Sequence, residues 1–84
     1  MKMEVTFNGE AKMVTFTEPQ ERIMRRLNRG EKVTYNGDTL VWDDGNYQEC
    51  VGYRAFATAM NNIRKAFNMN SEQHTALFRQ YMAN

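Results

Sequence analysis

The chain has one cysteine, one histidine and one proline, and it has no real surplus of either charge. Eleven Lys and Arg stand against ten Asp and Glu, a net charge of +1. A dedicated nucleic-acid binder usually carries a clear basic excess, so this balance argues against that class. The lone Cys50 excludes an internal disulfide and fits a reducing compartment. No apolar run reaches the length of a membrane span. The opening MKMEVTFNGE lacks the continuous apolar segment of a signal peptide, so the expected location is the cytoplasm. Cys50 and His74 could formally form a nucleophile pair. No Asn or Asp stands in an active-site signature beside them, however, and neither zinc spacing nor a phosphate-binding glycine loop is present. No catalytic residue, cofactor site or metal site is expected, and the chain reads as non-enzymatic.

What is present suits a small packed fold. The 84 residues are 42% apolar and 12% aromatic, enough for one core and too apolar for disorder. The whole of 1–84 reads as a single compact domain. Seven methionines point either to adaptable core filling or to a surface that conforms to a partner.

Two stretches echo one another. Val5 to Glu10 reads VTFNGE and Val33 to Asp38 reads VTYNGD, 28 positions later. Each sets a β-favouring run before Asn-Gly, the dipeptide that most readily enters hairpin turns. Apolar pairing favours four-residue loops. In the first hairpin Val5 then faces Val14 and Met3 faces Phe16; in the second Tyr35 faces Leu40 and Val33 faces Trp42. Thr17, Pro19 and Gln20 mark a helix start, Gly30 its end, and Ile23, Met24 and Leu27 its inner face. Tyr47 to Val51 reads as a fifth strand of a meander, or as a helix capped by Asn46. Ala55, Phe56, Ala59, Met60, Ile63, Ala66 and Phe67 form one helical stripe. Ser71 reads as the cap of a last helix, which gathers His74, Leu77, Phe78, Tyr81 and Met82. The expected fold is α+β: two antiparallel hairpins in one sheet, a helix between them, and two C-terminal helices packed on the sheet.

The outer face of the first helix carries Arg22, Arg25, Arg26 and Arg29. Four guanidiniums there could track phosphates or clamp an acidic protein patch. The competing reading is a solvated face in which Glu18 and Glu21 pair within the helix. Asp38, Asp43, Asp44 and Glu49 lack the ligand spacing of a calcium loop and read as turn formers. Tyr35, Trp42, Tyr47 and Tyr53 are the aromatic candidates for a docking surface, since Tyr and Trp are enriched at interface hot spots.

The stretch TEPQERIMRRLNRGEKVT resembles the first helix of winged-helix DNA-binding domains over about a fifth of the chain. That family would need two more short helices after Gly30, where this chain has a hairpin, so no function carries across. The expected function is a protein-binding regulator or inhibitor that occupies a partner's surface, the partner presenting an acidic patch. Compact domains of this size are common among phage and mobile-element products, including inhibitors of host defence or host polymerase. DNA or RNA binding through the arginine face is the alternative, and a homodimer through an uncovered hairpin edge stays open.

Overall fold

The structure is a computed structural model that describes residues 1–43 and 49–83. The order is β1 (Lys2–Phe7), β2 (Glu10–Thr15), α1 (Glu18–Asn28), β3 (Val33–Asn36), β4 (Thr39–Trp42), α2 (Tyr53–Phe67) and α3 (Ser71–Tyr81). This is the expected α+β architecture, with one correction: the hairpins form two separate two-stranded sheets, β1–β2 and β3–β4, and share no ladder.

The first hairpin also departs from the expected register. Phe7 pairs with Glu10, Val5 with Lys12 and Met3 with Val14. Asn8 and Gly9 both adopt positive φ, 51° and 78°, so these two residues are the whole loop and turn chemistry overrides apolar pairing. The slide moves each partner by two residues and therefore leaves the faces unchanged. Val5, Phe7, Val14 and Phe16 still point inward and are buried. Lys12 shares that face at its open end. Its stem reaches out to place Nζ 5.2 Å from the Phe67 ring centre and 3.3 Å from the Ala66 carbonyl, to which it donates.

In the second hairpin Tyr35 faces Leu40 and Val33 faces Trp42, as expected. The loop is nonetheless two residues, because Asn36 pairs with Thr39 and only Gly37 of the pair between them takes positive φ. The two echoing stretches thus turn one residue apart.

Glu49 to Val51 is extended rather than helical. The Trp42 N–H donates to the Glu49 carbonyl at 3.1 Å and the Val51 N–H to that of Leu40 at 2.7 Å, with a bridge between Val41 and Cys50. Glu49 to Val51 therefore lies along β4 as the meander reading expects, but as an isolated bridge and not a full fifth strand, and these three residues are not part of a helix. Tyr47 and the turn residues Asp44 to Asn46 lie outside the described residues.

Helix α1 starts as the capping residues require: Gln20 Oε1 accepts the Thr17 N–H at 2.8 Å. It ends with Gly30 N–H on the Leu27 carbonyl and Glu31 N–H on that of Arg26, Gly30 taking φ 96°. Helix α3 begins one residue earlier than the Ser71 cap implies. Asn70 is the cap, its side chain accepting the Gln73 N–H at 2.9 Å while Gln73 Oε1 accepts the Asn70 N–H at 2.9 Å. One apolar cluster draws on all seven elements, with Val5, Met24, Val33, Leu40, Phe56, Met60, Ile63 and Leu77 at 2% exposure or less. Burying each such side chain contributes roughly 1.5–3 kcal/mol.

Between α1, α2 and β2 the core includes polar groups, and they are matched. Gln20 is buried; its Nε2 donates to Thr58 Oγ1 at 2.9 Å and its Oε1 also accepts from Asn62 Nδ2 at 3.1 Å. Asn62 Nδ2 donates in addition to the Thr15 carbonyl at 3.1 Å. A buried amide so satisfied fixes one relative placement of the helices.

Candidate protein-binding surface

The arginine face of α1 is built from the expected spacing, but every guanidinium on it has a carboxylate. Arg22 pairs with Glu18 at 2.7 Å, with both side chains largely exposed. Arg25 pairs with Glu21, which is nearly buried. Arg29 reaches Glu31 at 3.1 Å. Arg26 holds Glu31 at 2.8 Å and also bonds Glu49. It is the least exposed of the four side chains, at 20%, and its guanidinium lies over the Trp42 ring at 4.0 Å. Burial pulls the Arg26 pKa down, but the hydrogen bonds and charges of Glu31 and Glu49 together raise it above its ordinary value. The bond from Arg26, against some desolvation, holds the Glu31 carboxyl below the usual carboxylate range, and Arg29 adds to the effect. Arg26 therefore ties α1 to the β3–β4 unit, and α1 presents a neutralised surface.

Of the aromatic candidates, Trp42 is buried at 4% exposure beneath Arg26 and is not a surface group. Tyr35 and Tyr53 are 61% and 63% exposed. Tyr47 lies outside the described residues. The methionines divide similarly: Met24, Met60 and Met69 are buried, whereas Met1 and Met13 are exposed. Three of the seven methionines are thus core filler, and Met3 and Met82 pack against the core half-buried.

Sequence reasoning missed where unpaired positive charge resides. Among the described residues Lys2, Lys32, Arg54, Arg64, Lys65 and Arg79 form no ion pair, and half of these lie on α2. The signal was legible, since Cys50 to Ser71 contains no Asp or Glu.

An open cleft of about 570 Å³ lies between the edge of β1, the end of α1 and the end of α3. Side-chain bonds cross it: Asn28 Nδ2 donates to the Glu4 carbonyl at 3.0 Å, Gln80 Nε2 to that of Thr6 at 2.9 Å, and Lys32 Nζ to that of Gln80 at 2.6 Å. Among the described residues no group of three or more His, Cys, Asp or Glu could hold a metal ion, and no helix is long and apolar enough to cross a membrane. Cys50 is exposed. His74 is half-buried on α3, 5.0 Å from the Phe78 ring, and Cys50 neighbours β4 through its backbone.

No protein-family model matches this chain, and comparison with curated proteins and with solved structures finds no significant match.

Proposed function

We propose that the chain is a non-enzymatic protein-binding module that regulates or inhibits a partner by occupying its surface. The observation that carries this reading is the exposure of Tyr35 and Tyr53, at 61% and 63%. Tyr53 opens α2, whose inner side Phe56, Met60 and Ile63 bury, and Tyr35 stands at the outer end of the β3–β4 face that Val33, Leu40 and Trp42 give to the core. A tyrosine so held offers a large amphipathic contact at small entropic cost, which is what interface anchors require. The pairing of the α1 arginines with Glu18, Glu21, Glu31 and Glu49 speaks against phosphate tracking by that helix, because each contact would first have to break an ion pair.

The test is affinity capture with the full chain from the cells that make it, before and after nuclease treatment. A stoichiometric protein should remain after nuclease and be lost with Tyr35→Ala or Tyr53→Ala. Capture that disappears with nuclease, or a salt-sensitive shift of duplex or single-stranded nucleic acid abolished by Arg29→Glu, would instead establish the nucleic-acid reading.

A further inference from the structure

Bonds from elsewhere in the chain reach the outer edges of β1, β3 and β4, although Tyr35, which also turns its backbone outward on β3, has none among the described residues. Met1 and Phe16 exchange both backbone bonds, at 3.0 and 2.8 Å. In the observed register Met3, Val5 and Phe7 therefore also point their backbone groups at β2, and Lys2, Glu4 and Thr6 point theirs outward. Asn28 and Gln80 take the Glu4 and Thr6 carbonyls. On β3 the Val33 carbonyl accepts from the Ala83 N–H at 2.7 Å, and β4 is covered by Glu49 and Val51. The outward residues of β2 are Ala11, Met13 and Thr15. Thr15 is closed by Asn62, but Ala11 and Met13 have no such bond among the described residues, and Met13 is 57% exposed.

Beside this open edge runs a groove of about 410 Å³ between β2 and α2, lined by Met13, Val14, Thr15, Asn62, Lys65 and Ala66. A strand edge next to a helix is the setting in which extended peptides add a strand, backbone bonds supplying affinity and side-chain pockets specificity. The groove contains a cation without a carboxylate partner, Lys65, and no acidic lining residue. The end of α2 contributes about half a negative charge, which Arg64 and Lys65 exceed. A second copy of the chain would bring another lysine-lined wall against the first and no carboxylate to match it.

We infer that the open edge of β2 and the C-terminal half of α2 take up an extended acidic segment of a partner protein, which pairs its backbone with Ala11 and Met13 and sets a carboxylate on Lys65. This rests on the protein-binding reading and adds a second contact, separate from Tyr35 and Tyr53.

The probe is a set of eight-residue peptides alternating Glu or Asp with Val, Ile or Thr, titrated against the full chain by fluorescence anisotropy, with lysine-bearing counterparts as control. Binding should weaken by about tenfold with Lys65→Glu. It should be lost with Met13→Pro, which removes an outward donor where proline is sterically allowed. Amide exchange at Ala11 and Met13 should slow when the peptide is bound. Should Met13→Pro unfold the chain, Lys65→Glu and the exchange data decide alone. No binding of the acidic set, equal binding of the lysine set, or binding without protection at Ala11 and Met13 overturns the inference. Capture of a native partner that needs Tyr35 but is indifferent to Lys65→Glu also overturns it, while leaving the protein-binding reading in place. If no protein is captured at all, both fall.

Discussion

The guanidinium of Arg26 lies 4.0 Å from the centre of the Trp42 ring, sealing the sole tryptophan under a cation that Glu31 and Glu49 hold in position. A cation stacked on an indole and partly withdrawn from water contributes about 1–2 kcal/mol. Arg26→Ala should therefore lower the stability by about that amount, and Arg26→Lys should recover only part of it because the planar fork is lost. Arg22→Ala, at an exposed pair, should stay within about 0.5 kcal/mol. Urea unfolding followed by Trp42 fluorescence measures all three. Equal midpoints for Arg26→Ala and Arg22→Ala would show that the stack contributes nothing.

Gly9 takes φ +78° with open space around an added Cβ, so only backbone strain opposes a side chain there. Gly9→Ala should cost about 1 kcal/mol. Thermal melts of that variant test whether the two-residue turn holds the first hairpin in register.

Gly52 caps α2 without a side-chain bond, and the first turn of that helix holds no acidic residue. An added Cβ would meet only Ala55 at 3.8 Å. Gly52→Asp should raise stability by about 0.5 kcal/mol, through a capping bond and the helix dipole together. A lowered melting temperature would contradict the cap assignment.

His74 has a buried Nε2 with no hydrogen-bond partner. Desolvation first, and the charge of Arg64 second, push its pKa below the ordinary 6.5. The folded state thus favours the neutral ring, and the unfolded chain binds more protons in the window just below 6.5. The contribution is complete above that pH and is lost as the pH falls through the lower folded-state value. Urea midpoints of the wild-type chain should drop between pH 7.5 and 5.5, and His74→Leu should flatten that drop. An unchanged slope in His74→Leu would assign the effect to other groups.

Much of this fold was legible because its signals are local. Thr17, Pro19, Gln20 and Gly30 bound α1 as their chemistry demands, and the apolar stripe from Ala55 to Phe67 gives the inner face of α2. The register of the first hairpin was misread because pairing Val5 with Val14 offers apolar contact. The preference of Asn8-Gly9 for two successive positive φ angles proved stronger, and the two alternatives bury the same face. The candidate site was legible only in part. Glu18 and Glu21 lie four residues before Arg22 and Arg25, so those pairs can be read from spacing. Glu31 and Glu49 reach Arg26 from outside the helix, and no periodicity announces that Trp42 lies beneath it.

Gln80 and Thr6 are 74 residues apart in the chain, and the amide of one closes the strand edge of the other. Each hairpin closes around a turn of two residues, a local step of the kind that takes microseconds, although a lone two-stranded hairpin is only marginally stable until something packs on it. Closing the long loop costs entropy before the Gln80 and Ala83 contacts can form, so the Thr6 carbonyl on β1 and the Val33 carbonyl on β3 stand bare until α3 docks. The last helix is in this sense a latch on the order of assembly. Before it engages, the half-built chain presents raw strand rims to its neighbours, the condition under which folding intermediates stick together.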